Sequence, residues 1–239
     1  MTKRELKALR RLEKLDTTRV ENKQNKVKWI LIAGGSLLFL AFFGFLVILA
    51  KQNNTKSEAV SLSDAGWSKG AVGSKITLVE FADFQCPACR AYHPIVREVM
   101  SAYDGELKLI FKHFPLTSIH PNAFAAAKAA EAAGAQGKFF EYHDILYGKQ
   151  DEWAGLPQLA VWDKFISYAV QLSLSEEKFK TDFENIEFEN KIREQQDEGI
   201  ASGVSSTPTF FLNGKIIKNP RSTDEFKKLV DKELKKKNE

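Results

Sequence analysis

Cysteine is scarce in this chain, with two in 239 residues. That excludes a disulfide-rich scaffold, a zinc site of four cysteines and an iron–sulfur cluster held by four cysteines of one chain. Glycine and proline, at 14 and 7, are too few for a collagen-like chain, and 44% hydrophobic residues exclude wholesale disorder. Internal repeats and low-complexity tracts are absent. Nor is there a large excess of one charge. Lys+Arg number 35 against 31 Asp+Glu, and a net +4 is too small for a strongly basic nucleic-acid binder.

What charge bias exists is local. Residues 1–28 hold ten Lys/Arg and four Asp/Glu, a balance of +6, which leaves −2 for the rest. This segment reads as a charged amphipathic helix (RELKALRRLEKL) followed by a polar stretch, with binding to anionic lipid head groups as one use of the charge. Next come 22 residues without a charge, Trp29 to Ala50. A helix of that length crosses a hydrocarbon core of about 30 Å, so the expectation is a single transmembrane helix over 29–50. The basic cluster on its N-terminal side puts residues 1–28 in the cytoplasm as a basic tail and everything after Lys51 outside it. A cleaved signal peptide is the competing reading, but its apolar core runs about 7–15 residues and ends at a small-x-small site, which Ile48-Leu49-Ala50 matches poorly. The expected location is therefore the plasma membrane of a bacterial envelope, in a single pass. Polar, aperiodic residues 51–66 suggest a flexible tether, and we place a linker over 51–69 and a folded domain over 70–239.

Within the domain, strands alternate with helices. Lys75–Phe81 (KITLVEF) is a β-branched and aromatic run, Pro87–Tyr103 carries apolar residues at helical spacing, and Leu107–Phe114 alternates like a second strand. This is a βαβ unit, which implies parallel strands joined by a right-handed crossover. Four helical stretches follow: Asn122–Ala135, Lys138–Tyr147, Leu159–Leu172, and Ser175–Ser202 broken once. Some 80 residues of helix are too many for a loop and mark an inserted subdomain, at about 121–202. Thr209–Leu212 and Lys215–Lys218 flank Asn213-Gly214, a strong hairpin signal, and Ser222 with Glu225 opens a last helix as a capping box.

The chemistry centres on Cys86-Pro87-Ala88-Cys89. These residues follow a strand and open a helix, so first-turn N–H groups point toward the first sulfur and favour its thiolate. Pro87 fits the first helical turn, where an N–H would have no partner anyway. We assign Cys86 as the exposed nucleophile and Cys89, one turn further in, as the resolving partner. Three other readings compete. A zinc site could add His93, four residues after Cys89, but lacks a fourth ligand of the usual kind. Covalent haem attachment needs histidine where Arg90 stands. A purely structural disulfide would close only a tiny loop. No metal is expected, and His93, His113, His120 and His143 read as surface or core residues.

Two separated motifs carry a family resemblance. Leu78-Val79-Glu80-Phe81 through Phe84-Gln85-Cys86-Pro87-Ala88-Cys89, together with Gly203 through Thr207-Pro208-Thr209 to Gly214, resemble the DsbA-like branch of the thioredoxin-fold thiol:disulfide oxidoreductases, over about residues 70–237. The resemblance implies an α/β thioredoxin-like fold with an inserted α-helical subdomain. It also implies a cis Thr207-Pro208 bond against the cysteines. Glu80 would be the acidic residue beneath the active site that assists proton movement. Thr207, Phe84, Gln85, Pro87 and Ala88 would form the substrate face. No cofactor is implied beyond a redox-active Cys86–Cys89 disulfide. The implied partners are exported proteins with free thiols and a quinone-linked membrane reoxidant, DsbB-like or vitamin K epoxide reductase-like. Ala88 departs from the family's common histidine, a residue that stabilises the thiolate, and this bears on the direction of electron flow. The alternatives are a reductase or isomerase with its pair kept reduced, and, in another class, a peptide-binding or chaperone module with a structural disulfide.

Overall fold

The computed structural model describes residues 42–45 and 59–238. The chain divides into two units, Met1–Lys56 and Ser57–Glu239. Of the first, residues 42–45 are helical and exposed, and the remainder of the expected span at 29–50, the tail at 1–28 and most of the tether lie outside the described residues. Among the described residues, no helix is long and apolar enough to cross a membrane.

The second unit is built on five strands: β1 (Trp67–Lys69), β2 (Ile76–Ala82), β3 (Leu107–His113), β4 (Thr209–Leu212) and β5 (Lys215–Ile217). They lie in the order β1-β3-β2-β4-β5. Of the neighbouring pairs among the described residues, β2–β3 is parallel, with Glu80 level with Phe111, and the others are antiparallel. Helix α1 (Pro87–Ala102) makes the crossover between them, as the βαβ pattern requires. Asn213 and Gly214 both have positive φ, 49° and 75°, the backbone of a tight turn between β4 and β5 that an Asn-Gly pair adopts at little strain. Helix α8 (Thr223–Asn238) closes the chain. Its Glu225 N–H donates to Ser222 Oγ at 3.3 Å, while the Glu225 carboxylate reaches back to the N–H of Arg221, one residue before the partner that the capping box predicts.

Alternation along β2 sorts its side chains between two layers. Ile76 and Leu78 pack with Val96 and Val99 of α1 and with Phe226 and Val230 of α8. Val79 and Phe81 face the opposite layer with Ile110, Phe114, Val204 and Phe211. Each of these wholly buried large side chains contributes about 1.5–3 kcal/mol. By the same alternation, Glu80 stands on the face of Ile76 and Leu78, beneath α1.

The inserted subdomain comprises α2 (Ala123–Gly134), α3 (Phe139–Gly148), α4 (Gln150–Trp153), α5 (Gln158–Gln171), α6 (Glu176–Phe183) and α7 (Ile186–Ala201). The break within the charged stretch falls at Glu184-Asn185, where Asn185 Oδ1 accepts from the Glu187 N–H at 2.9 Å and starts a new helix. Helix α7 returns to cover the Val79–Phe81 face. A Cβ on Gly199 would lie 2.8 Å from the Phe114 ring, so a larger residue there would push the helix off the sheet.

The linker expectation over 51–69 needs correcting at its C-terminal end. Trp67–Lys69 forms β1, antiparallel to β3, and Val60 donates from its N–H to Gly214 O at 2.8 Å. The Trp67 ring stacks on Phe139 with centroids 4.6 Å apart, and its Nε1 donates to Glu131 Oε1 at 2.7 Å. Three residues, two of them polar, are too short a run to show a strand's alternation. Tertiary contacts hold the segment, including a Gly134 that leaves room for the indole ring.

Candidate active site

Both cysteines sit at the start of α1. Cys86 is its N-cap in extended backbone (φ −71°, ψ 121°), Pro87 opens the helix, and Asp83 O accepts from the Cys86 N–H at 3.1 Å. Cys89 is fully buried and Cys86 is 7% exposed, so the nucleophile assigned from sequence as exposed is largely covered. Pro87 and Ala88, by contrast, stand open to solvent on the expected substrate face. The Thr207–Pro208 peptide is cis, and the Cys86 thiol donates to Thr207 O at 3.5 Å.

The two sulfurs are electrostatically unequal. The Cys86 pKa falls from 9.0 to about 5, chiefly through the hydrogen bond with the Cys89 side chain. Burial opposes the shift, and the Thr207 side chain with the backbone N–H groups of Cys89 and Ala88 reinforces it. Burial pushes Cys89 well above 9.0, and the neighbouring Cys86 and Glu80 add to the rise. Such a pair has one sulfur ready to act as thiolate and one that holds its proton.

Glu80 is 3% exposed, and burial lifts its pKa from 4.5 to about 8. A protonated carboxyl at neutral pH is suited to give or take one proton. It lines a cavity of about 280 Å³ between α1, α3 and the sheet, together with His93, Val96, Met100, His143 and Asp144.

Phe84 and Gln85 are placed differently from the expectation. Phe84 is 1% exposed and stacks on Phe111 at 5.2 Å, and Gln85 donates from Nε2 to Ala154 O and accepts from the Asn122 N–H, both at 2.7 Å. Both turn inward to brace the cysteine loop against the inserted helices, because a bare loop would leave its buried polar groups without partners.

Sequence reasoning missed two more braces. Gln150 donates from Nε2 to Phe84 O at 2.7 Å and to Cys86 O at 3.1 Å. Asp83, 1% exposed, accepts from the N–H groups of Gln85 and Leu116 and lies 2.7 Å from His120 Nδ1. An aspartate two residues before Gln85 is a local turn signal that could have been read; Gln150 carries none. The four histidines are less scattered than they look in sequence. His93 and His143 each approach Asp144 Oδ1 to 2.9 Å, and His113 Nε2 lies 3.0 Å from Glu131 Oε1.

Comparison with known proteins agrees with this geometry. The thioredoxin family matches residues 63–232. Among solved structures, BdbD from Bacillus subtilis in its oxidised form has a TM-score of 0.64 at 24% identity, covering 75% of this chain and 97% of that one. Wolbachia pipientis alpha-DsbA1 gives 0.62 at 21%, over 71% and 91%. MdbA of Corynebacterium diphtheriae, a thiol-disulfide oxidoreductase, gives 0.58 at 21%, over 74% and 93%. The chain belongs to the thioredoxin family, and its fold, with the helical insertion, is that of DsbA-like thiol:disulfide oxidoreductases.

Sequence relatives carry another name. A Na(+)/H(+) antiporter NhaA 3 of Salinispora tropica is 38% identical over 152 residues, 64% of this chain and 22% of that protein. A Mycolicibacterium vanbaalenii NhaA 1 is 29% identical over 208 residues, 83% of this chain and 32% of that protein. The chain spans about a fifth to a third of these relatives, so most of each lies outside the matched region.

Proposed function

We propose that the protein is an extracytoplasmic, membrane-tethered thiol:disulfide oxidoreductase that donates disulfides to exported proteins. The observation that carries this reading is the CxxC pair at the start of α1, with Cys86 as the helix N-cap 3.5 Å from Thr207 O and Cys89 wholly buried one turn on, an arrangement that lowers the Cys86 pKa and raises that of Cys89. A low-pKa thiolate stabilises the reduced pair, which makes its disulfide the stronger oxidant. The backbone N–H groups and the Cys89 hydrogen bond supply this effect even though Ala88 replaces histidine. The uncharged run at 29–50, with its upstream basic cluster, supports the tether and its orientation.

In the reaction, a substrate thiolate attacks Cys86 Sγ of the disulfide, and the Cys86–Cys89 bond breaks as the mixed disulfide forms. Cys89 leaves as a thiolate and takes up a proton, for which the protonated Glu80 is the buried source. A second substrate thiolate then attacks the substrate sulfur of the mixed disulfide and expels Cys86 as a thiolate. Two electrons have passed from the substrate dithiol to the pair. A quinone-linked membrane protein, DsbB-like or vitamin K epoxide reductase-like, would take them away. Pro87, Ala88 and the Thr207 backbone would meet an extended peptide through main-chain contacts, which give broad specificity.

The test is the reduction potential of the Cys86/Cys89 pair, equilibrated against glutathione buffers. A value near about −120 mV is expected for a donor of disulfides; a value near about −270 mV would turn the reading to a reductase. A pair that exchanges with no thiol would leave a structural disulfide.

A further inference from the structure

The cavity that holds Glu80 has a second chemical feature at its wall. His93 comes from α1, and His143 and Asp144 come from α3 of the inserted subdomain. His93 Nε2 and His143 Nδ1 both lie 2.9 Å from Asp144 Oδ1, and one ligand atom from each residue falls within 4.8 Å of the others. The side chains of His93 and His143 are 13% and 7% exposed, whereas that of Asp144 is 38% exposed. The cluster thus has a buried imidazole side and an open carboxylate side.

We propose that His93, His143 and Asp144 form a binding site for a divalent transition-metal ion of the zinc type, bridging α1 and the inserted helices beside Glu80. Two imidazole nitrogens and one carboxylate oxygen are the donors such an ion prefers, and a calcium-like ion would call for oxygen donors throughout. Zinc at about 2.0–2.2 Å from each donor would hold the donor atoms roughly 3.3 Å apart. The two 2.9 Å separations need a small outward movement to reach that spacing, the two imidazole nitrogens, within 4.8 Å of one another, must close toward it by side-chain rotation, and the cavity leaves room for water at a fourth position. No thiolate takes part, so the site is separate from the CxxC pair. A sequence search for metal spacing would not see it, because His93 and His143 are 50 residues apart and meet only through the packing of α1 on α3. An ion there would tie the thioredoxin core to the insertion and stabilise the fold by mass action.

The test uses the full chain in detergent, free of any histidine tag and with Cys86 and Cys89 oxidised so that thiols cannot compete. Zn²⁺ is titrated in competition with a chromophoric chelator. The expected result is one ion per chain at micromolar affinity or tighter, with a melting temperature that rises with Zn²⁺. His93→Gln and Asp144→Asn should each weaken binding about tenfold or more and abolish the thermal shift. Both positions are partly exposed, and circular dichroism checks that the variants fold. Co²⁺ in place of Zn²⁺ should show visible ligand-field bands without a thiolate charge-transfer band. Absence of micromolar binding to the oxidised wild type, or unchanged binding in both folded variants, overturns the proposal and leaves only a hydrogen-bonded His–Asp–His bridge.

Discussion

The thiol of Cys86 lies 3.5 Å from the carbonyl oxygen of Thr207, a residue 121 positions later in the chain. Helix α1, β3 and the inserted helices all lie in that interval, yet β4 returns beside β2 and sets Thr207 against the start of α1. The contact therefore depends on the antiparallel β2–β4 register, with Phe81 opposite Thr209, rather than on any local signal around either residue.

Alkylation of the reduced protein should report the Cys86 thiolate directly. Its folded pKa of about 5 lies below the ordinary 9.0, so this group adds stability to the reduced protein as pH rises from 5 to 9 and loses it as pH falls through about 5. The alkylation rate should have its midpoint near pH 5. Cys89→Ala removes the largest stabilising contribution and should move that midpoint upward; a wild-type midpoint at pH 8 or above would contradict the assignment.

Glu80→Gln should change the pH dependence of stability. The folded pKa of about 8 exceeds the ordinary 4.5, so the group's contribution is intact below 4.5 and is lost as pH rises through 8. At pH 7 the neutral variant should be more stable than wild type by about 3 kcal/mol, and the difference should vanish below pH 4. Denaturant unfolding at several pH values checks this, and parallel profiles for the two proteins would refute it. The variant should also form mixed disulfides more slowly, since Cys89 then leaves without its nearby acid.

Gln150 braces the cysteine loop from α4 through two carbonyls, Phe84 O and Cys86 O. Gln150→Ala should destabilise the protein by about 2 kcal/mol, because buried acceptors lose their donor. Gln150→Glu, which keeps the size but cannot donate when ionised, should be no better. Equilibrium unfolding measures both, and a loss below about 0.5 kcal/mol would mean that the loop supports itself.

Trp67→Ala tests whether the segment before residue 70 belongs to the fold. The change removes the stack on Phe139 and the hydrogen bond to Glu131, and leaves that buried carboxylate with His113 and Lys191 alone. The expected loss is about 3 kcal/mol, toward the lower end for a tryptophan because the ring is only half-buried. An unchanged unfolding midpoint would restore the flexible-linker reading for residues 67–69.

The elements from Ile76 to the last helix were largely legible because their signals are local. A β-branched run, a proline after a cysteine, an Ala-rich stretch and an Asn-Gly pair each bias the backbone over a few residues, and the two separated motifs pointed to the thioredoxin fold. The identity of Cys86 and Cys89 was legible for the same reason, since a CxxC at a strand–helix junction is a local arrangement. Other features depended on what the chain meets after folding. β1 is a strand only because β3 offers an edge and Gly134 leaves room for Trp67. Phe84 and Gln85 turned inward because the inserted helices provide their partners, and Gln150 carried no mark of its role. The raised pKa of Glu80 and the meeting of His93, His143 and Asp144 arise from burial and helix packing. Sequence determined which short segments could form and which residues carried the chemistry; only tertiary structure decided which polar groups lost water and which distant side chains came within hydrogen-bonding distance.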